Sequence, residues 1–158
     1  MIATLRQANS TDAARIADIL IETRSSFMLY APAVHSEAEV RDWVRMHLIP
    51  TGGVTVAERT EEVVGLVAVS TDGNYQWIDQ IAVHPPLVSR GIGARLLEYV
   101  VATSTLPIRA YTFQANLDAR RFYERHGFLA VEFRDGRANE ERCPDVLYER
   151  AITPKSGA

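Results

Sequence analysis

The stretch Trp77-Ile78-Asp79-Gln80-Ile81-Ala82-Val83-His84-Pro85, followed by Arg90-Gly91-Ile92-Gly93-Ala94-Arg95-Leu96-Leu97, decides how this chain folds. Its apolar and β-branched residues predict a strand over Tyr75–Val83 that stops before Pro85. A short loop follows, and a helix opens on two glycines. Free backbone N–H groups and the positive end of that helix converge on one spot, an arrangement suited to phosphate. Two glycines at a helix start can also be turn chemistry alone. Leu96 stands where the third glycine of a dinucleotide fingerprint would fall, and no Gly-Lys-Ser/Thr closes a phosphate loop. Neither of those folds is expected.

Upstream, Ile2–Arg6 predicts an edge strand, and Ser10 or Thr11 caps a helix whose stripe is Ile16, Ile19, Leu20, Thr23 and Phe27. Ser36 and Glu39 form a capping box for a second helix burying Val40, Trp43, Val44, His47 and Leu48. Strands are expected at Val54–Glu58 and Val63–Ser70, with a turn at Asp72-Gly73-Asn74 leading into the deciding strand. Downstream come a helix over 91–104, a strand at Pro107–Phe113, and a helix at Asp118–His126 ended by Gly127. Strands Phe128–Phe133 and Val146–Ala151 complete the pattern. The order is that of an α+β fold of about seven strands and four helices, one domain over 1–152, with 153–158 a frayed tail.

Net charge is −3, so no nucleic-acid partner or anionic membrane surface is expected. Four scattered histidines and a single cysteine offer no metal-ligand spacing and no intramolecular disulfide. The lone Cys143 fits a reducing cytoplasm, and neither a signal peptide nor a membrane-length apolar run is visible.

A second stretch, Asn116-Leu117-Asp118-Ala119-Arg120-Arg121-Phe122-Tyr123-Glu124-Arg125-His126-Gly127-Phe128, reads by itself as a capped amphipathic helix. Together with the glycine loop it resembles the GNAT superfamily of acetyl-CoA-dependent N-acetyltransferases. The loop is similar to that family's V-x-P followed by Q/R-x-x-G-x-G/A, here Val83-His84-Pro85 and Val88-Ser89-Arg90-Gly91-Ile92-Gly93. The helix is similar to its N-x-x-A-x-x-F-Y-x-x-x-G-F segment, matched at Asn116, Ala119, Phe122, Tyr123, Gly127 and Phe128. Two departures stand out: Val88 replaces the usual Gln or Arg, and Ser89 the common glycine.

The resemblance implies a mixed, mostly antiparallel sheet and acetyl-CoA as co-substrate. Backbone groups of Ile81, Ala82 and Val83 would pair with the pantetheine arm. The N–H groups of Ser89, Arg90, Gly91, Ile92, Gly93 and Ala94 would cradle the pyrophosphate. Asn116 would bond the arm near the thioester, and Tyr123 would protonate the leaving thiolate. An N–H near Val83 would face the developing oxyanion.

Attack by an amine needs a base, because alkylamines are mostly protonated at pH 7. Asp79 is the first candidate, since strict alternation puts it on one face with Ile81 and Val83; a strand-end carboxylate with no catalytic part, or a water chain, is equally open. The loop Arg134–Asp145 is dense in charge, which a solvated hairpin would also show. It is similar to the G-x-x-N-E-E-x-x-P-D-v-x-Y ending of a bacterial GNAT subgroup. Glu140, Glu141 and Asp145, with Tyr30 or Trp43 from the helical flap, are therefore candidates for binding a cationic amine. A small-molecule primary amine is favoured over a protein, with direct attack and no covalent enzyme intermediate. The alternative is an acyl-CoA-binding sensor without catalysis. By analogy with the family, two copies would pair through late strands.

Overall fold

The computed structural model describes residues 2–31 and 33–152, so the tail expected at 153–158 lies outside the described residues. All seven strands join one sheet: β1 (Thr4–Gln7), β2 (Val54–Arg59), β3 (Glu62–Thr71), β4 (Gln76–Val83), β5 (Ile108–Phe113), β6 (Leu129–Arg134) and β7 (Asp145–Arg150). Their order is β1-β2-β3-β4-β5-β7-β6, antiparallel everywhere except at the β4–β5 junction. The helices are α1 (Ala13–Phe27), α2 (Glu37–Trp43), α3 (Ile92–Thr103) and α4 (Leu117–Arg125). The α+β expectation is met.

Alternation along the strands feeds two cores. Ile16, Ile19 and Val44 of the α1/α2 side pack on Val54, Val56 and Leu66. On the other face Leu96, Leu97 and Val100 of α3, with Tyr123 of α4 and the following Phe128, cover Val67, Ile78 and Tyr148. Gly65 lets α3 come close: a Cβ there would stand 3.1 Å from both the Ala82 carbonyl oxygen and Ile92 Cγ2.

Three local readings change. The capping residue is Asn9, which caps a 3-10 turn over Ser10–Asp12 that runs into α1; its side chain accepts from the Thr11 amide, while Asp12 closes the capping box and binds Arg6 at 2.8 Å. The second helix starts at the expected Ser36/Glu39 box but widens into a π turn over Val44–Leu48. Phe27, Trp43 and His47, expected in the core, are exposed, and Trp43 and His47 line a cleft beside α1 and α2.

Candidate active site

Strands β4 and β5 run side by side only at their starts, Gln76 opposite Ile108 and Trp77 opposite Arg109, and then part. Beyond Trp77, β4 keeps its partner β3 on one edge and has no strand on the other among the described residues. The His84 amide donates to Val64 of the β3 side at 2.8 Å. Successive amides of a strand point to opposite edges, so the N–H groups of Val83 and Ile81 point into the gap.

The gap leads to the start of α3. Ser89 (φ 63°) and Gly91 (φ 85°) are both left-handed, so the backbone turns its N–H groups inward before the helix begins. No side chain caps α3, leaving the amides of its first turn and the positive helix end without an internal partner. A Cβ on Gly91 would meet nothing within 4 Å, so its requirement is conformational; Gly93 faces Phe122 and Val83 at ordinary contact distance. Ser89 occupies a left-handed backbone region that suits glycine, at a cost of about 1 kcal/mol.

Asn116 begins α4, its Oδ1 accepting from the Ala119 amide at 3.1 Å, and its side chain also hydrogen-bonds Tyr30. Tyr123 lies one face of α4 further on, buried between Phe122, Phe128 and Tyr148. Its hydroxyl has no hydrogen-bond partner among the described residues. Burial pushes its pKa far above that of an ordinary phenol, so the group keeps its proton.

Asp79 does not share a face with Ile81 and Val83. The β3–β4 register slips between Ala68 and Val69, opposite Gln80 and Ile78, making Asp79 the extra residue of a bulge. Ile78 and Ile81 both face the α3 core, three residues apart, while Asp79 turns to the opposite side and bonds Ser70. As a residue Asp79 is exposed, yet desolvation of its carboxyl raises its pKa, opposed by the Ser70 hydrogen bond.

A cleft of about 1230 Å³ is lined by Gln80, Ile81 and Ala82 of β4 and by residues of α1, α2 and the β6–β7 loop; Asp79 is not among its lining residues. Trp43, Glu140 and Glu141 line it. Asp145 does not. Its buried carboxylate takes both prongs of Arg134 at 2.8 and 2.7 Å and the Asn139 amide at 3.1 Å, clamping the loop's neck. Tyr30 is also off the cleft wall: it packs edge-on to Phe113 (5.8 Å) beside Asn116 and Cys143. Sequence reasoning missed His35, whose Nε2 meets Glu140 at 3.0 Å and joins the α1–α2 segment to the β6–β7 loop. It also missed Arg24, Met46 and Gln80 in the lining. Among the described residues no cluster of His, Cys, Asp and Glu could hold a metal ion, and no helix is long and apolar enough to cross a membrane.

A splayed sheet with a bare helix N-terminus at the end of the gap defines the fold of coenzyme A-dependent acyltransferases. Residues 18–128 match the Acetyltransferase (GNAT) family, and the chain belongs to that family, whose members use acetyl-CoA; it is an acyltransferase. The fold is similar to a GNAT-family acetyltransferase from Bacillus cereus ATCC 10987 (17% identity, 98% of this chain and 100% of that chain, TM-score 0.76). It is also similar to PaiA N-acetyltransferase from Thermoplasma acidophilum in complex with coenzyme A (16%, 96% and 99%, 0.71). A third is the ribosomal-protein-S18-alanine N-acetyltransferase from Escherichia coli (18%, 99% and 97%, 0.71). No curated protein matches the chain in sequence.

Proposed function

We propose that this protein transfers an acetyl group from acetyl-CoA to the nitrogen of a small primary amine. The observation that carries the reading is the β4–β5 gap, with the Ile81 and Val83 amides turned into it and the uncapped α3 at its end. A linear arm bearing amides at one end and a pyrophosphate at the other fits that combination of unpaired strand edge and anion-seeking helix terminus. The N–H groups from Ser89 to Ala94 would take the pyrophosphate, with Arg90 adding a cation. Asn116, whose side chain also bonds Tyr30, would bond the arm. Acetyl-CoA supplies an activated acyl carbon.

This chain's residues would do the rest. Asp79, its proton affinity raised by desolvation, draws a proton from the ammonium form of the acceptor through water. The Ile81 amide faces the negative charge that grows on the acyl oxygen; it is preferred to Val83 because Ile81, not Val83, also lines the acceptor cleft. Tyr123 hands its proton to the departing sulfur and regains one from the nitrogen by way of solvent. A C–N bond forms, a C–S bond breaks, and one proton per turnover reaches solvent, with no covalent enzyme intermediate. Cys143 takes no part. The outer strand β6, with Leu129, Val131 and Phe133 exposed, is the surface through which two copies would pair.

Thermal unfolding with acetyl-CoA at a hundredfold excess over its Kd should raise stability by about 2.7 kcal/mol. For a chain of this size that is a Tm rise of about 5–10 °C. Thiol release should then depend on added amine. No shift at millimolar acetyl-CoA would overturn the reading.

A further inference from the structure

Resting on the acetyltransferase reading, we infer that the acceptor is a small primary amine whose apolar body carries a second cationic group. The cleft has three zones. Its floor is the β4 segment Gln80–Ala82, beside the proposed acyl position. Its walls are apolar: Leu20, Met28 and Leu29 on one side, Val40, Trp43 and Met46 on the other. Its rim is acidic, with five carboxylates, Glu37, Glu39, Asp42, Glu140 and Glu141, against Arg24 as the one lysine or arginine among the described lining residues.

These zones sort acceptors by shape. An amine nitrogen at the floor places whatever follows it between Met28 and Trp43, where a hydrophilic chain would lose water without new bonds and an apolar body would gain. Whatever lies beyond reaches the rim. Glu141 is half-buried there with no ion-pair partner among the described residues, and Glu37 likewise has none. An acidic rim concentrates and orients cations. The 3.0 Å contact between His35 and Glu140 ties the α1–α2 segment to the β6–β7 loop, and both residues line the cleft.

The test compares thiol release from acetyl-CoA with four acceptors: 1,4-bis(aminomethyl)benzene, benzylamine, ethanolamine and a short peptide with a free N-terminus. The inference expects kcat/KM for the aromatic diamine to exceed that for ethanolamine at least tenfold and that for benzylamine about fivefold at low salt. The second margin should shrink in Glu141→Gln and at high salt; the first should shrink in Trp43→Ala and recover in Trp43→Phe. Benzylamine equal to the diamine, ethanolamine equal to either, or the peptide as best acceptor would overturn the inference and leave the acetyltransferase reading standing. Absence of transfer to every acceptor, with no acetyl-CoA-induced Tm shift, would overturn that reading itself. A Tm shift without transfer would overturn the inference alone.

Discussion

Replacing Asp145 by Ala separates a carboxylate that touches substrate from one that holds the loop that does. The side chain accepts two charge-assisted bonds from Arg134 and one from Asn139, and it is buried. All three end on an ionised carboxylate, and at about 1.5 kcal/mol each the gross loss is about 4.5 kcal/mol. Arg134 is a quarter exposed and stays stacked over Tyr111 at 4.2 Å, so water repairs part of its loss. The net cost is then about 2–3 kcal/mol, short of a fully buried pair. Tm should fall by about 5–10 °C. The loop that presents Glu140 and Glu141 would loosen, raising the acceptor KM several-fold with little change in the acetyl-CoA KM. Arg134 holds the Asp145 carboxyl below its ordinary 3.8, so this stabilisation is fully present above that pH and is lost as pH falls through the lower folded value. Paired Tm and steady-state measurements on parent and variant decide it. A variant as stable as the parent whose acceptor KM nevertheless rises would refute the reasoning and return Asp145 to the substrate.

Tyr123→Phe removes a hydroxyl with no partner, so Tm should hold while kcat falls about a hundredfold and acetyl-CoA affinity is retained; unchanged kcat would remove Tyr123 from the chemistry. Gly91→Ala forces a side chain into a left-handed backbone at φ 85°, costing about 1–2 kcal/mol and weakening acetyl-CoA binding in titration calorimetry. Intact affinity and Tm would show that the loop tolerates the change. The His35 imidazole is drawn above its ordinary pKa chiefly by Glu140, so the charged contact is complete below about 6.5 and fades as pH rises through the raised value. Protonated His35 competes with a cationic acceptor for Glu140. The acceptor KM should therefore rise several-fold as pH falls, and His35→Gln should abolish the rise; an identical pH profile in the variant would exclude the competition.

The strands and helices were legible because each carries its own period and punctuation: Ser36 with Glu39, Asp72-Gly73-Asn74, and Asn116 with Gly127 are local signals that the structure keeps. The parting of β4 from β5 was not legible in the residues, since nothing in Ile78–Val83 or Ala110–Phe113 announces which edge lacks a neighbour. The bulge at Asp79 was invisible for the same reason, because side-chain alternation assumes an unbroken ladder, and one extra residue reverses the face of everything before it. Trp43 and His47 fell on the apolar face of α2, but that face overhangs a cleft and is not wholly covered. Asp145 read as a substrate-binding carboxylate because its partner, Arg134, is eleven positions away and meets it only when the hairpin closes.

The most direct test of the account is amide hydrogen exchange along β4, followed by NMR with and without saturating acetyl-CoA. Ala82 and His84 face β3, where His84 already bonds Val64, and their exchange should change little. Ile81 and Val83 face the gap, and their exchange should slow sharply when the arm fills it. Slowing confined to Ile81 and Val83 is the predicted result. Acetyl-CoA that binds yet leaves both amides exchanging at their original rates would contradict the placement of the coenzyme between β4 and β5.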